Sequence, residues 1–119
     1  MKKILYIEDN LDTASAVKMM LKTAGYDAET ANSGKEGIKK ASVGNFDLFL
    51  LDIMLPDMSG WDIFETLKKK ESKSRFAFLS AIPVSVDRME ELKKAGVSDY
   101  ITKPFAKADL LSRVKKILE

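Results

Sequence analysis

DLFLLDIMLPDMSG (residues 47–60) contains an apolar run, Leu48 to Leu51, that stops on a carboxylate, Asp52. A short unbroken apolar run with no alternation reads as a strand covered on both faces, as in a parallel sheet packed between helices. The strand is placed at Asp47 to Leu51. A carboxylate at the end of such a strand is costly unless something nearby pairs with it, so partners for Asp52 are expected elsewhere in the chain. After the turn residues, Ser59 is suited to cap a helix running through Lys69, with Trp61, Phe64 and Leu67 as its buried positions.

The same alternation continues on either side. Toward the N-terminus, Lys3 to Ile7 is a strand, and a helix beginning near Asn10 or Asp12 sets Val17, Met20, Leu21 and Ala24 on one face before Gly25 ends it. A weaker strand, Ala28 to Ala31, precedes Ser33-Gly34-Lys35-Glu36, which has the form of a capping box opening a second helix. Toward the C-terminus, Arg75 to Leu79 is a strand, and Asp87 to Ala95 a helix closed by Gly96. Asp99 to Thr102 is the fifth strand, and Ala106 to Leu118 a last helix with Leu110, Leu111, Val114 and Ile117 in register. Five repeats of strand then helix predict an α/β fold: a doubly wound five-stranded parallel sheet with right-handed crossovers and five helices.

The 119 residues fit one domain, 1–119, and their 20 basic and 18 acidic side chains give a net charge of only +2, which offers no case for direct nucleic-acid binding. The one basic cluster, KKKESKSR at 68–75, reads as a solvated helix end. The MKKILYIED start has too short an apolar stretch for a signal peptide, and no run reaches membrane-spanning length, so a cytoplasmic protein without membrane insertion is expected. The chain has no cysteine and no histidine. Thiolate and imidazole chemistry are thereby excluded, leaving carboxylates, hydroxyls and lysines.

In open α/β sheets, ligands bind beyond the carboxyl ends of the strands. Those ends carry Glu8 and Asp9 after strand one, Asp52 after strand three, Ser80 after strand four, and Lys103-Pro104 after strand five. If the three acids converge, each close pair repels by about 4 kcal/mol at roughly 4 Å and an effective dielectric near 20. One lysine cannot offset three such charges. A hard divalent cation can, and an all-oxygen donor set without histidine or cysteine favours Mg²⁺, typically shared with a phosphoryl oxygen.

The set Glu8-Asp9, Asp52 with Pro56 and Gly60, Ser80-Ala81 and Lys103-Pro104-Phe105 resembles, in order and approximate spacing over essentially the whole chain, the receiver domain of two-component response regulators, in its stand-alone, chemotaxis-regulator-like form. The resemblance implies the flavodoxin-like strand order 2-1-3-4-5. It also implies that Asp52 is the phosphoacceptor and that Glu8 and Asp9 hold Mg²⁺ together with Asp52 and the backbone carbonyl of Met54. Ser80 matches the switch hydroxyl, Lys103 the lysine that pairs with the phosphoryl group, Tyr100 the switch aromatic, and Pro104 the family's cis-bonded proline. The implied function is a phosphoacceptor switch in a phosphorelay rather than an enzyme acting on an external substrate. Its partners would be a sensor histidine kinase or phosphotransfer protein and a downstream protein reached through helix four, strand five and helix five. Because the sequence stops at helix five, no output domain is expected within it, unless it was cut from a longer chain.

Three other functions fit less well. A haloacid-dehalogenase-like phosphatase resembles D-x-D, but Met54 stands two residues after Asp52 and there is no room for a cap domain. A flavodoxin-like FMN protein needs a Ser-, Thr- or Gly-rich phosphate loop where this chain has Glu8-Asp9-Asn10. A degenerate receiver acting by contact alone would not need the intact acids, Ser80 and Lys103.

Overall fold

The computed structural model describes residues 1–71 and 73–119. Among them the elements run β1 (Lys3–Ile7), α1 (Leu11–Thr23), β2 (Asp27–Ala31), α2 (Gly34–Val43), β3 (Leu48–Leu51), α3 (Gly60–Lys70), β4 (Arg75–Ser80), α4 (Val86–Ala95), β5 (Asp99–Thr102) and α5 (Lys107–Leu118). The strands form one five-stranded parallel sheet in the order β2-β1-β3-β4-β5. The apolar run Leu48–Leu51 is central, and all its side chains are fully buried.

Alternation along the strands builds two cores. Leu5, Ile7, Phe49, Leu51, Phe76 and Phe78 pack with α2, α3 and α4 through Ala41, Ile63, Phe64, Leu67 and Leu92. Ile4, Tyr6, Leu48, Leu50, Ala77 and Leu79 pack with α1 and α5 through Val17, Leu21, Leu110 and Val114. Burial on both faces is what the uninterrupted apolar runs require. It also removes the sheet faces as ligand sites and leaves the strand ends.

Helix starts follow the capping chemistry. The side chains of Asn10, Ser33, Ser59 and Ser85 accept from the backbone N–H of Thr13, Glu36, Trp61 and Arg88 at 2.9–3.1 Å. Several expectations need correction. Only half of the predicted capping box forms: Ser33 caps Glu36, while the Glu36 carboxylate lies 3.4 Å from Lys40 Nζ, four residues along the helix. Ala24 is the exposed C-cap of α1, and Ala14 takes its expected place on the buried face. Trp61 is half-buried, because it lies at the first turn of α3 where the helix emerges from the core. The basic run is divided: Lys68 lies over the Phe76 ring, Lys69 and Lys70 are exposed in the last turn of α3, and Ser72 lies outside the described residues.

Two features bear on the site. A Cβ on Gly60 would overlap the Asp52 carbonyl oxygen, so the start of α3 can press against the phosphoacceptor candidate only without a side chain. Gly60→Ala is therefore expected to cost about 1–3 kcal/mol in urea denaturation, because the obstructing atom is backbone and cannot rotate away. In addition, α4 has a single buried residue, Leu92, and its Arg88 guanidinium lies 5.0 Å from the Trp61 ring. It is the helix with the fewest buried residues among those described.

Candidate functional site

Parallel register brings the strand ends level. Ile7 pairs with both Ala31 and Leu51, and Leu51 pairs with Phe78, so Glu8 and Asp52 emerge side by side. The Asp52 N–H donates to the Ile7 carbonyl at 3.1 Å, extending the ladder one step past β3. One carboxylate oxygen each from Glu8, Asp9 and Asp52 lie within 4.8 Å of one another. Glu8 and Asp52 are buried and Asp9 is exposed at the rim.

Lys103 reaches into this cluster from the end of β5. Its ammonium donates to Glu8 Oε1 and lies 3.3 Å from Asp52 Oδ2. It pairs with both buried acids at once and leaves Asp9 as the acid without an ion pair among the described residues, so the one lysine meets two of the three charges. The Lys103–Pro104 bond is cis, in line with the resemblance, and the Lys103 N–H donates to the Ser80 carbonyl at 2.8 Å.

Glu8 is the most heavily bonded of the three acids. Its Oε1 also accepts from the Tyr6 hydroxyl at 2.9 Å and its Oε2 from the Asn10 N–H at 3.3 Å, while the Asn32 side chain donates to its backbone carbonyl at 3.1 Å. Burial pushes the Glu8 carboxyl upward, but the hydrogen bonds, that of the Lys103 ammonium foremost, outweigh it and bring the pKa down to about 2. Asp52 goes the other way. Burial and the neighbouring Glu8 raise its carboxyl above the usual carboxylate range against the pull of Lys103. Within the pair Glu8 is thus held as the anion, while burial and Glu8 disfavour the charge on Asp52. Tyr6 was not anticipated as a site residue, yet the period of two already places it on the face of Glu8.

Ser80 is the last residue of β4 rather than the first beyond it, and it is fully buried. Its Oγ accepts from the Ile82 N–H at 3.2 Å, and the buried Tyr100 hydroxyl donates to the Ile82 carbonyl. Both expected switch residues are therefore tied to one residue of the β4–α4 loop. Met54, the expected carbonyl ligand, lies just past Asp52 with its side chain exposed and its backbone bridged to Ser59. In the same loop Asp57, also not anticipated, accepts from the N–H groups of Lys35 and Gly34 at 2.8 Å each, and these bonds hold its carboxyl below the usual range. The loop after Asp52 is thereby clipped to the start of α2.

Three hard oxygen donors from two adjacent strand ends, with a lysine opposite, suit a small divalent cation beside a phosphoryl group. The sequence profile described as the response regulator receiver domain matches residues 4–115. The chain belongs to the response regulator receiver domain family.

The receiver is 38% identical over 116 residues to the transcriptional regulatory protein CusR of Escherichia coli, covering 98% of this chain and 51% of that protein. It spans about half the length of the curated relatives it matches, CusR and the cell cycle transcriptional regulator CtrA of Caulobacter vibrioides among them. Among solved structures it is similar to a CheY-like receiver domain protein from Methanospirillum hungatei, with a TM-score of 0.90, 31% identity, and 99% and 94% of the two chains covered. It is also similar to the response regulator TrrA of Thermotoga maritima, solved in complex with Mg²⁺ and BeF, with a TM-score of 0.85, 32% identity, and 99% and 100% covered. Receivers of this family act in two-component signalling, as phosphoacceptor switches with an acidic pocket for Mg²⁺. Among the described residues no helix is long and apolar enough to cross a membrane.

Proposed function

We propose that residues 1–119 form one receiver domain that works as a phosphorylation-controlled switch, with Asp52 as the phosphoacceptor and the phosphohistidine of a sensor kinase or phosphotransfer protein as donor. The observation that carries this reading is the buried Asp52 carboxylate set between Glu8 and the Lys103 ammonium. An Asp52 oxygen attacks phosphorus as the bond to the donor's imidazole nitrogen breaks. The electron pair of that bond returns to the imidazole, and an acyl phosphate forms on Asp52. Glu8, Asp9, Asp52 and the Met54 carbonyl are the groups that would hold Mg²⁺. Bound there, Mg²⁺ would offset the negative charge of the phosphoryl oxygens and so favour in-line attack by the Asp52 oxygen on phosphorus.

Lys103 follows the new charge from Glu8 and Asp52 to a phosphoryl oxygen, and Ser80 donates its hydroxyl proton to another. When the Ser80 side chain turns, the Ile82 N–H loses its acceptor, and the bond from Tyr100 to the Ile82 carbonyl is disturbed with it. This links the chemistry to α4, β5 and α5, the face through which a downstream protein would sense the state.

The test is the response to beryllofluoride with Mg²⁺, followed by NMR shifts of residues 81–118. Wild type is expected to respond throughout this segment. Ser80→Ala is expected to bind beryllofluoride but to lose most of the response, since one charge-assisted hydrogen bond of about 1.5–3 kcal/mol is enough to change the ratio of two states more than tenfold. Identical responses in the two proteins would make Ser80 a turn residue only.

A further inference from the structure

Tyr6 lies on the same face of β1 as Glu8, two residues before it, and is fully buried. The strand is paired on both sides at this point, with Thr30 of β2 and Leu50 of β3 opposite Tyr6. The ring belongs to the core that includes Val17, Leu21 and Leu110. Packing on every side locks the side chain, so its hydroxyl is a fixed donor at the floor of the acid cluster.

The Glu8 carboxylate stands at the end of a longer side chain than that of Asp52, whose Oδ1 is tied to the adjacent Ile53 N–H at 2.7 Å. It therefore needs a hold of its own, and its two oxygens are held unequally. Among the described residues Oε1 takes two donors, the Tyr6 hydroxyl at 2.9 Å and the Lys103 ammonium, while Oε2 takes the Asn10 N–H at 3.3 Å. An ionised carboxylate offers about two lone pairs on each oxygen, so Oε1 is filled and Oε2 keeps one free. In the proposed switch Lys103 leaves for the phosphoryl group. The donor that stays on Oε1 is then Tyr6.

We propose that Tyr6 is a positioning residue of the metal site: its hydroxyl holds Oε1 of Glu8 and so presents Oε2 to the cation. The inference rests on the reading of Glu8 as a metal ligand and adds how that carboxylate is aimed. Removing a hydrogen bond that orients a ligand lowers metal affinity about ten- to a hundredfold. Selectivity follows from the same hold. Mg²⁺ requires donors close to octahedral positions and Ca²⁺ accepts a looser, larger set, so a carboxylate free to swing penalises Mg²⁺ more than Ca²⁺.

The test is calorimetric titration of the metal-free protein with Mg²⁺ and, separately, with Ca²⁺. Wild type is compared with Tyr6→Phe, Glu8→Asp and the double variant, each checked for native circular dichroism. Tyr6→Phe deletes one oxygen and keeps the ring. It is expected to weaken Mg²⁺ about tenfold and Ca²⁺ by less, narrowing the ratio of the two affinities. Glu8→Asp shortens the side chain by a methylene and draws the carboxylate back from the hydroxyl. In that background Tyr6→Phe should change Mg²⁺ affinity little, a non-additivity that altered packing alone does not produce.

An unchanged Mg²⁺ affinity in Tyr6→Phe, even with a lower melting temperature, makes Tyr6 a packing residue and overturns the inference. Equal weakening of both cations, or an equal effect of Tyr6→Phe in the two backgrounds, overturns it as well. Glu8→Gln separates this failure from a deeper one. If Glu8→Gln binds Mg²⁺ as tightly as wild type, Glu8 is not a ligand and the inference falls with that reading. If Glu8→Gln loses Mg²⁺ while Tyr6→Phe keeps it, the ligand stands and only the role of Tyr6 falls.

Discussion

Incubation with acetyl phosphate and Mg²⁺ is expected to attach one phosphoryl group, cleaved by hydroxylamine, and Asp52→Asn is expected to abolish that labelling. The loss should be complete, because Asp52 is the proposed nucleophile, whereas both oxygens of the buried Glu8 are already engaged, Oε1 by Lys103 and Tyr6 and Oε2 by the Asn10 N–H. EDTA should abolish labelling as well. The same substitution has a second consequence, of opposite sign. A carboxyl whose pKa is raised on folding binds protons more tightly in the folded than in the unfolded chain, so its ionised form costs stability at neutral pH. The metal-free Asp52→Asn protein is therefore expected to melt higher than wild type. Labelling that survives in Asp52→Asn, or persists undiminished in EDTA, would show that the acyl phosphate forms elsewhere or without a cation.

Removing the lysine should act in the other direction. Lys103 is the cation between the two buried acids, and Lys103→Ala leaves them facing each other without it. Breaking a buried ion pair by deleting one partner costs about 3–5 kcal/mol, and the lower end applies because Lys103 retains some exposure. Metal-free urea denaturation at neutral pH is the measurement. Without the ammonium, the folded-state pKa values of Glu8 and Asp52 both rise above their unfolded values of about 4. The variant's deficit should then shrink as the pH falls toward that value, since the folded state takes up protons first. Mg²⁺ should also recover much of the loss, because it binds only the folded state. A variant as stable as wild type at neutral pH, with no gain from Mg²⁺, would mean that the lysine contacts are not maintained in solution.

The strands β1, β3 and β4 were legible because each carries a short apolar run, and burial on both faces leaves little else that such a run can be. The cluster was legible for a related reason: Glu8, Asp9, Asp52 and Lys103 are charges placed where an apolar strand stops. Strand ends in a parallel sheet point to one edge, so identity and position along the chain sufficed to bring them together. What the sequence concealed were connections that depend on side-chain reach. Asp57 lies 23 positions from the Gly34 amide that it caps, and nothing local to either residue announces the bond. The part played by Ile82 is carried by its backbone, which its side-chain identity does not reveal. The position of Lys103 at a strand end opposite the acids was legible, but not that its ammonium bridges Glu8 and Asp52. The Glu36 carboxylate had two partners within reach, the start of its own helix and Lys40, and it pairs with Lys40.

Trp61 is the chain's only tryptophan. One side of its indole lies 5.0 Å from the Arg88 guanidinium of α4, and its ring centre is 4.4 Å from that of Phe78, two residues before Ser80. The fluorophore therefore sits at the seam between the strand that carries Ser80, the proposed switch hydroxyl, and the least-buried helix. A shift of α4 withdraws a positive charge from the indole and admits water in its place, changing both the intensity and the colour of its emission. The unlabelled protein thus carries its own optical reporter of the state of this face, readable in a stopped-flow cell while the chemistry proceeds.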